Sequence, residues 1–212
     1  NMLSYKIVNI NEELKSVSIS EICKSSKDEI AFYDEENAKI LVIDRNNELI
    51  REISDDFRGI VHMDFGAEDN LYVIVESTRK NDSGDINGLI RKLMVYDSQG
   101  DRLDNKCFAS EIDGNWETLK GSLARKIYVT GKGEIYMLKT GGTIEAYDIF
   151  LNKKGKWEAA QYRDMCLDEA DNLILLYTKN TSSTVEKIDT RGNKTIYKRE
   201  IARDDSPESI YT

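Results

Sequence analysis

One layout recurs four times along this chain: a polar turn, a strand, a loop, a second strand, an Asp-led turn and a third strand. The first copy runs Lys27-Asp28-Glu29-Ile30-Ala31-Phe32-Tyr33 and then Ile40-Leu41-Val42-Ile43-Asp44. The second runs Glu68-Asp69-Asn70-Leu71-Tyr72-Val73-Ile74, then Leu93-Met94-Val95-Tyr96-Asp97-Ser98-Gln99-Gly100. The third runs Gly131-Lys132-Gly133-Glu134-Ile135-Tyr136-Met137, then Ile144-Glu145-Ala146-Tyr147-Asp148. The fourth runs Glu169-Ala170-Asp171-Asn172-Leu173-Ile174-Leu175, then Val185-Glu186-Lys187-Ile188-Asp189.

With Ile30, Leu71, Ile135 and Leu173 taken as equivalent, the copies are 41, 64 and 38 residues apart. Insertions at 77–89 and 107–121 account for the long middle spacing. The strands are β-branched and aromatic, end at Asp, Asn or Gly, and show no sustained helical period. A single meander cannot bury both faces of its sheet. Like units stacked side by side about an axis can, and strands such as Leu71-Tyr72-Val73-Ile74-Val75 are apolar on both sides as that requires. Asp- and Asn-led turns suit the hairpins, because those side chains bond their own backbone and Gly accepts positive φ. The fold class is therefore all-β, a β-propeller of four-stranded antiparallel blades, with a β-sandwich as the alternative.

The combination of Asn-Leu-Tyr-Val with Val-Tyr-Asp-x-x-Gly-x-x-Leu, over 69–75 with 95–103 and again over 171–175 with 188–192, resembles the NHL-repeat and related six-bladed β-propeller families. The resemblance covers about residues 5–203. It implies a platform used by binding modules, scaffolds and a few metal-dependent lyases and lactone hydrolases, whose ligand positions have no match in this sequence.

Read as one domain, residues 1–212 divide into an outer hairpin at 1–19, full blades at 20–56, 57–106, 121–160 and 161–203, and a closing strand at 204–212. That makes about five blades, or an incomplete six-bladed ring. Closure as five is favoured because it removes exposed strand edges; an open ring would pair its edges with another copy.

Thirty Lys and Arg against 39 Asp and Glu give a net charge of −9. With cations scattered among more numerous carboxylates, duplex nucleic acid is not an expected partner. No apolar run is long enough to insert into a membrane. Cys23, Cys107 and Cys166 are far apart, no Cys-x-x-Cys occurs, and each reads as a small buried thiol. Lys-, Asn- and Ile-rich usage with one proline fits an AT-biased bacterial source, and the resemblance to such propellers, often exported, implies an extracytoplasmic location.

Chemical signals are sparse. His62, the single histidine, shares a strand face with Asp64. On an innermost strand both would line the channel, as a base with its orienting acid or as a satisfied polar pair. Ser83-x-Asp85-x-Asn87-Gly88-x-Ile90 matches the start of a calcium loop, but Met94 stands where the bidentate Glu belongs, so a solvated insertion is the better reading. No glycine loop suits a phosphate, and neither metal nor cofactor is expected. Ligands of propellers bind where blade-connecting loops and second-to-third-strand loops converge. That geometry nominates Phe57, Arg58, Arg79, Trp116, Tyr162 and Arg163 as ligand-binding residues. The function expected is a non-enzymatic module that binds a protein, peptide or glycan. The alternatives are a metal-dependent lactonase or lyase, and a structural repeat module of a larger surface or sensor protein.

Overall fold

The computed structural model describes residues 17–80, 82–84, 86–104, 108–111, 123–157, 162–179, 182–189 and 194–199. Trp116, Cys107, the expected closing strand and all but residues 17–19 of the expected terminal hairpin lie outside them.

Among the described residues, sixteen strands form four antiparallel sheets of four, each a simple meander. The first sheet comprises β1 (Ile19–Lys24), β2 (Ile30–Asp34), β3 (Lys39–Ile43) and β4 (Leu49–Ser54). The second comprises β5 (Ile60–Phe65), β6 (Leu71–Lys80), β7 (Ile86–Tyr96) and β8 (Phe108–Glu111). The third comprises β9 (Ala124–Val129), β10 (Ile135–Lys139), β11 (Ile144–Tyr147) and β12 (Lys153–Trp157). The fourth comprises β13 (Tyr162–Leu167), β14 (Leu173–Lys179), β15 (Ser182–Ile188) and β16 (Lys194–Arg199). Helical backbone among the described residues is confined to the short 3-10 segment Ala67–Asp69 and to Asp104.

The sheets stand side by side like a fan. Their first strands adjoin one another, β1 against β5, β5 against β9 and β9 against β13. Core clusters fill the seams between sheets. Ala31, Tyr33, Ile40 and Val42 meet Met63, Leu71, Val73 and Val75 in the first seam. Tyr72, Ile74, Leu93 and Val95 meet Ile127, Val129, Ile135 and Met137 in the second. Leu138 and Ile144 meet Met165, Leu173 and Leu175 in the third. Alternate side chains of β6 thus serve two different seams, which is the physical cause of its unbroken apolar run. The arrangement is radial, with no second face-to-face layer among the described residues.

Eight tight turns among the described residues share one construction. The N–H of the leading residue donates to the carbonyl four residues on, at Ser25, Asp44, Gly66, Asp97, Thr130, Lys139, Asp148 and Asp168. In six of them the leading side-chain oxygen also accepts the N–H groups two and four residues on; for Asp148 these are Phe150 and Asn152, both at 2.9 Å. The third residue on adopts the left-handed conformation each time, at Asp28, Asn47, Asp69, Gly100, Gly133, Gly142, Leu151 and Asp171. Lys139 has no oxygen to offer, and Gly66 has no side chain at all. A Cβ there would lie 2.5 Å from Val129 Cγ1 and 2.7 Å from the Tyr72 ring. Close packing of the second seam excludes the side-chain acceptor those six turns use.

Two local expectations change. Much of 77–89 is strand: β6 and β7 stay paired out to Thr78 with Leu89, Arg79 with Gly88 and Lys80 with Ile86, with 82–84 an exposed turn, so cross-strand bonding absorbs most of the extra length. The outer strand of the second sheet, β8, pairs with Ile90 to Leu93 and falls inside the stretch read from sequence as an insertion.

Candidate functional site

Equivalent positions on the four first strands build two levels around the axis. Counting back from Ser25, Gly66, Thr130 and Asp168, one level holds Cys23, Asp64, Tyr128 and Cys166, and the next holds Glu21, His62, Lys126 and Asp164. The first strand of each sheet has an unpaired inner edge, and neighbouring side chains supply its acceptors. Asp64 Oδ2 accepts the N–H of Val129 at 2.8 Å, and His62 Nδ1 accepts the N–H of Ile127 at 3.4 Å. Lys126 Nζ sits 2.8 Å from Asp164 Oδ1, a carboxylate 1% exposed. The His62 and Tyr128 rings lie 5.3 Å apart.

Burial dominates the electrostatics. It pulls His62 down to about 4, with the Lys126 charge adding to the effect and Asp164 opposing it. The imidazole is neutral at pH 7, and with Nδ1 accepting, its proton resides on Nε2. Burial pushes Asp64 up to about 7 against the N–H groups of Val129 and Phe65 that favour its charge. Glu21 is likewise raised to about 7 by burial, with Lys126 pulling the other way. Cys166 is raised to about 11 and Cys23 is raised too, so neither thiol is activated. His62 and Asp64 are the satisfied polar groups of the seam, each engaged with β9 rather than with the other.

At one end the channel opens into a mouth of about 970 Å³. The turns from first to second strand of all four sheets converge on it. Asp28, Asp64, Glu68, Asp69, Asp168, Glu169 and Asp171 line it, and Lys24 is the one Lys or Arg among its lining residues. Contacts between turns stitch the rim. Ser26 Oγ donates to Asp69 and Lys27 pairs with it at 2.5 Å, while the Gly131 N–H donates to Asp171 at 3.1 Å. Glu68, Glu169 and Asp28 remain exposed. The polar turn preceding each second strand carried this signal in the sequence, since its acids fall at one place in the repeat.

Of the ligand-binding residues nominated from sequence, Phe57, Arg58, Arg79, Tyr162 and Arg163 belong to the opposite end, where sheet-to-sheet connections and second-to-third-strand turns lie. Phe57 is 4% exposed and makes edge contacts with Tyr33 and Tyr96. Tyr162 is 4% exposed against Tyr177, so both rings are core contacts with little face left for a ligand. Arg58 is exposed beside Asp56, and Arg163 is exposed with its carbonyl accepting from Arg125. Arg79 lies far along β6, and Trp116 is outside the described residues. A groove of about 440 Å³ at the first seam is lined by Asp55, Asp56, Glu76, Lys92 and Arg102 among others. Within it Asp55 accepts from the Tyr96 hydroxyl at 2.9 Å and from Arg102 at 3.2 Å.

No protein-family model and no curated protein matches the chain. Solved structures do. A Bacteroides caccae protein of unknown function aligns at TM-score 0.52 and 9% identity, over 90% of this chain and 63% of that one. The Dos1 propeller aligns at TM-score 0.52 and 14% identity, over 87% of this chain and 48% of its own. The chain is a β-propeller. A virginiamycin B lyase from Staphylococcus aureus aligns at TM-score 0.49 and 11% identity, over 91% of this chain and 72% of that one. This propeller therefore spans less than two thirds of the first relative's length and about half of Dos1's. Its four described sheets are blades, and the two side-chain levels line the inner ends of their seams.

Proposed function

We propose that this propeller is a non-enzymatic binding module of NHL type that receives a cationic segment of a protein or peptide at the acidic channel mouth. The observation that carries the reading is the convergence of four equivalent turns on one concavity, to which those of the first, second and fourth blades add carboxylates. Rigid blades hold those turns in fixed positions, so a partner's Lys or Arg side chains would meet a preformed field rather than ordering mobile loops. Buried channel groups below the mouth are occupied with seam hydrogen bonds, which favours binding over acid–base chemistry at this place.

Fluorescence anisotropy of a labelled oligolysine peptide tests it. Binding should weaken as salt is raised, and should fall about tenfold or more when Glu68, Glu169 and Asp28 are together changed to the amides. Equal binding of a neutral peptide, or full affinity in the amide variant, would defeat the proposal.

A further inference from the structure

Outer turns at the mouth end differ between blades. In the described ones, the turn from third to fourth strand runs Asp44-Arg45-Asn46-Asn47-Glu48 in the first blade, Asp97-Ser98-Gln99-Gly100-Asp101 in the second and Asp148-Ile149-Phe150-Leu151-Asn152 in the third. The construction asks for a leading acceptor and a left-handed third residue, and the first two blades fill the positions between with polar side chains. The third blade places apolar residues there. Leu151 holds the left-handed place at φ 65°, where Asn47 and Gly100 stand elsewhere, and packs against the second seam. Ile149 is 47% exposed and Phe150 is 77% exposed, more than any other large hydrophobic residue described. Nothing in the turn itself requires an aromatic ring at that position.

This apolar pair borders the acidic mouth on its uncharged side. The first, second and fourth blades line the mouth with carboxylates, whereas the third supplies Tyr128, Val129 and Gly131. On that third-blade turn, a Cβ at Gly133 would lie 2.7 Å from Ile149 Cγ2 and 3.8 Å from the Cβ of Ala67, itself a lining residue next to Glu68. About two residues of extended peptide span such a gap. Lys132 is exposed on the same turn and Lys154 pairs with Glu134, so the acidic field gives way toward Phe150. We infer that the partner segment seated in the acidic mouth, on the reading proposed above, carries an aromatic or long aliphatic side chain beside its Lys or Arg residues, and that Phe150 with Ile149 receives it. The Phe150 backbone is already fixed, its N–H donating to Asp148 Oδ1 at 2.9 Å, so burying the ring orders two side-chain torsions and little else. Charge alone binds any polycation and is screened by salt; an apolar anchor on one side of the mouth adds selectivity and a contact that screening leaves intact.

The test compares labelled hexalysine with hexalysine carrying a Gly-Phe-Leu tail at one end or the other, by fluorescence anisotropy on the full chain. At a salt concentration where hexalysine binds measurably but weakly, one of the tailed peptides should bind about fivefold or more tighter. Phe150→Gln installs the side chain that the sister turn carries as Gln99. It should abolish the gain, leave hexalysine binding as in wild type and keep the thermal midpoint. Equal affinity of tailed and plain peptides, or a gain that survives in Phe150→Gln, would overturn the inference and leave the acidic mouth standing. Failure of hexalysine to bind would defeat the mouth reading itself, and the apolar anchor with it. A wild-type dimer in sedimentation that Phe150→Gln converts to a monomer would assign the apolar pair to a second copy and likewise overturn the inference.

Discussion

Asp64 on the innermost strand of the second blade accepts the backbone N–H of Val129 on the innermost strand of the third, Oδ2 to N at 2.8 Å. The contact joins two blades through a side chain at the one place where a first strand has no backbone neighbour. Replacing Asp64 by Leu leaves that N–H without an acceptor in a half-buried seam. The expected loss is about 1–3 kcal/mol in urea denaturation. Asp64→Asn retains a carbonyl oxygen for Val129 and should cost less than Leu.

Asp64 also sets a pH dependence. Its carboxyl is raised to about 7 in the folded protein, above its ordinary value of 3.8, so between those values the folded state holds a proton that the unfolded chain has lost. The stabilisation is present at low pH and is lost as pH rises toward 7. Glu21 acts in the same direction, while His62, lowered to about 4, acts in the opposite one by gaining stability as pH rises from 4 to 6.5. Asp64→Asn should therefore grow more stable relative to wild type as pH is raised from 4 to 7. His62→Gln should move the other way. Denaturation midpoints across that range decide both, and parallel curves would contradict the assignment.

Gly66→Ser supplies the turn acceptor that six sister turns possess, yet it should destabilise. The added Cβ meets Val129 and Tyr72 within 3 Å. Overpacking of this kind costs about 1–3 kcal/mol, and thermal denaturation should report a loss despite the improved turn chemistry.

Asp148→Ala removes one oxygen that accepts the N–H groups of Phe150 and Asn152. The turn is exposed and water replaces part of what is lost. The expected outcome is a small loss of stability, less than that of Gly66→Ser, with Asp148→Asn recovering most of it in the same denaturation assay.

Phe57→Ala separates packing from ligand contact. A ring buried between Tyr33 and Tyr96 should cost about 3–5 kcal/mol on truncation. Oligolysine affinity, measured at a temperature where the variant is folded, should not change.

The meander and its turns were legible from residues alone. Strand alternation and the bonding of Asp44, Asp97, Asp148 and Asp168 to N–H groups two and four residues on are local, so a short stretch of chain contains both partners. The two-faced apolar run of β6 likewise announced burial on both sides. Other features needed the assembled blades. His62 and Asp64 could be placed on one strand face, but their partners Ile127 and Val129 are 65 residues away. Phe57 looked like an exposed loop aromatic because the Tyr33 and Tyr96 rings that enclose it come from two different blades. The acids of Glu68, Asp69, Glu169 and Asp171 are ordinary turn residues singly and become one acidic mouth only through the superposition of repeats. Short-range hydrogen bonding and side-chain period thus fixed each blade from within, whereas charge convergence and seam contacts arose from how separate blades stack about their axis.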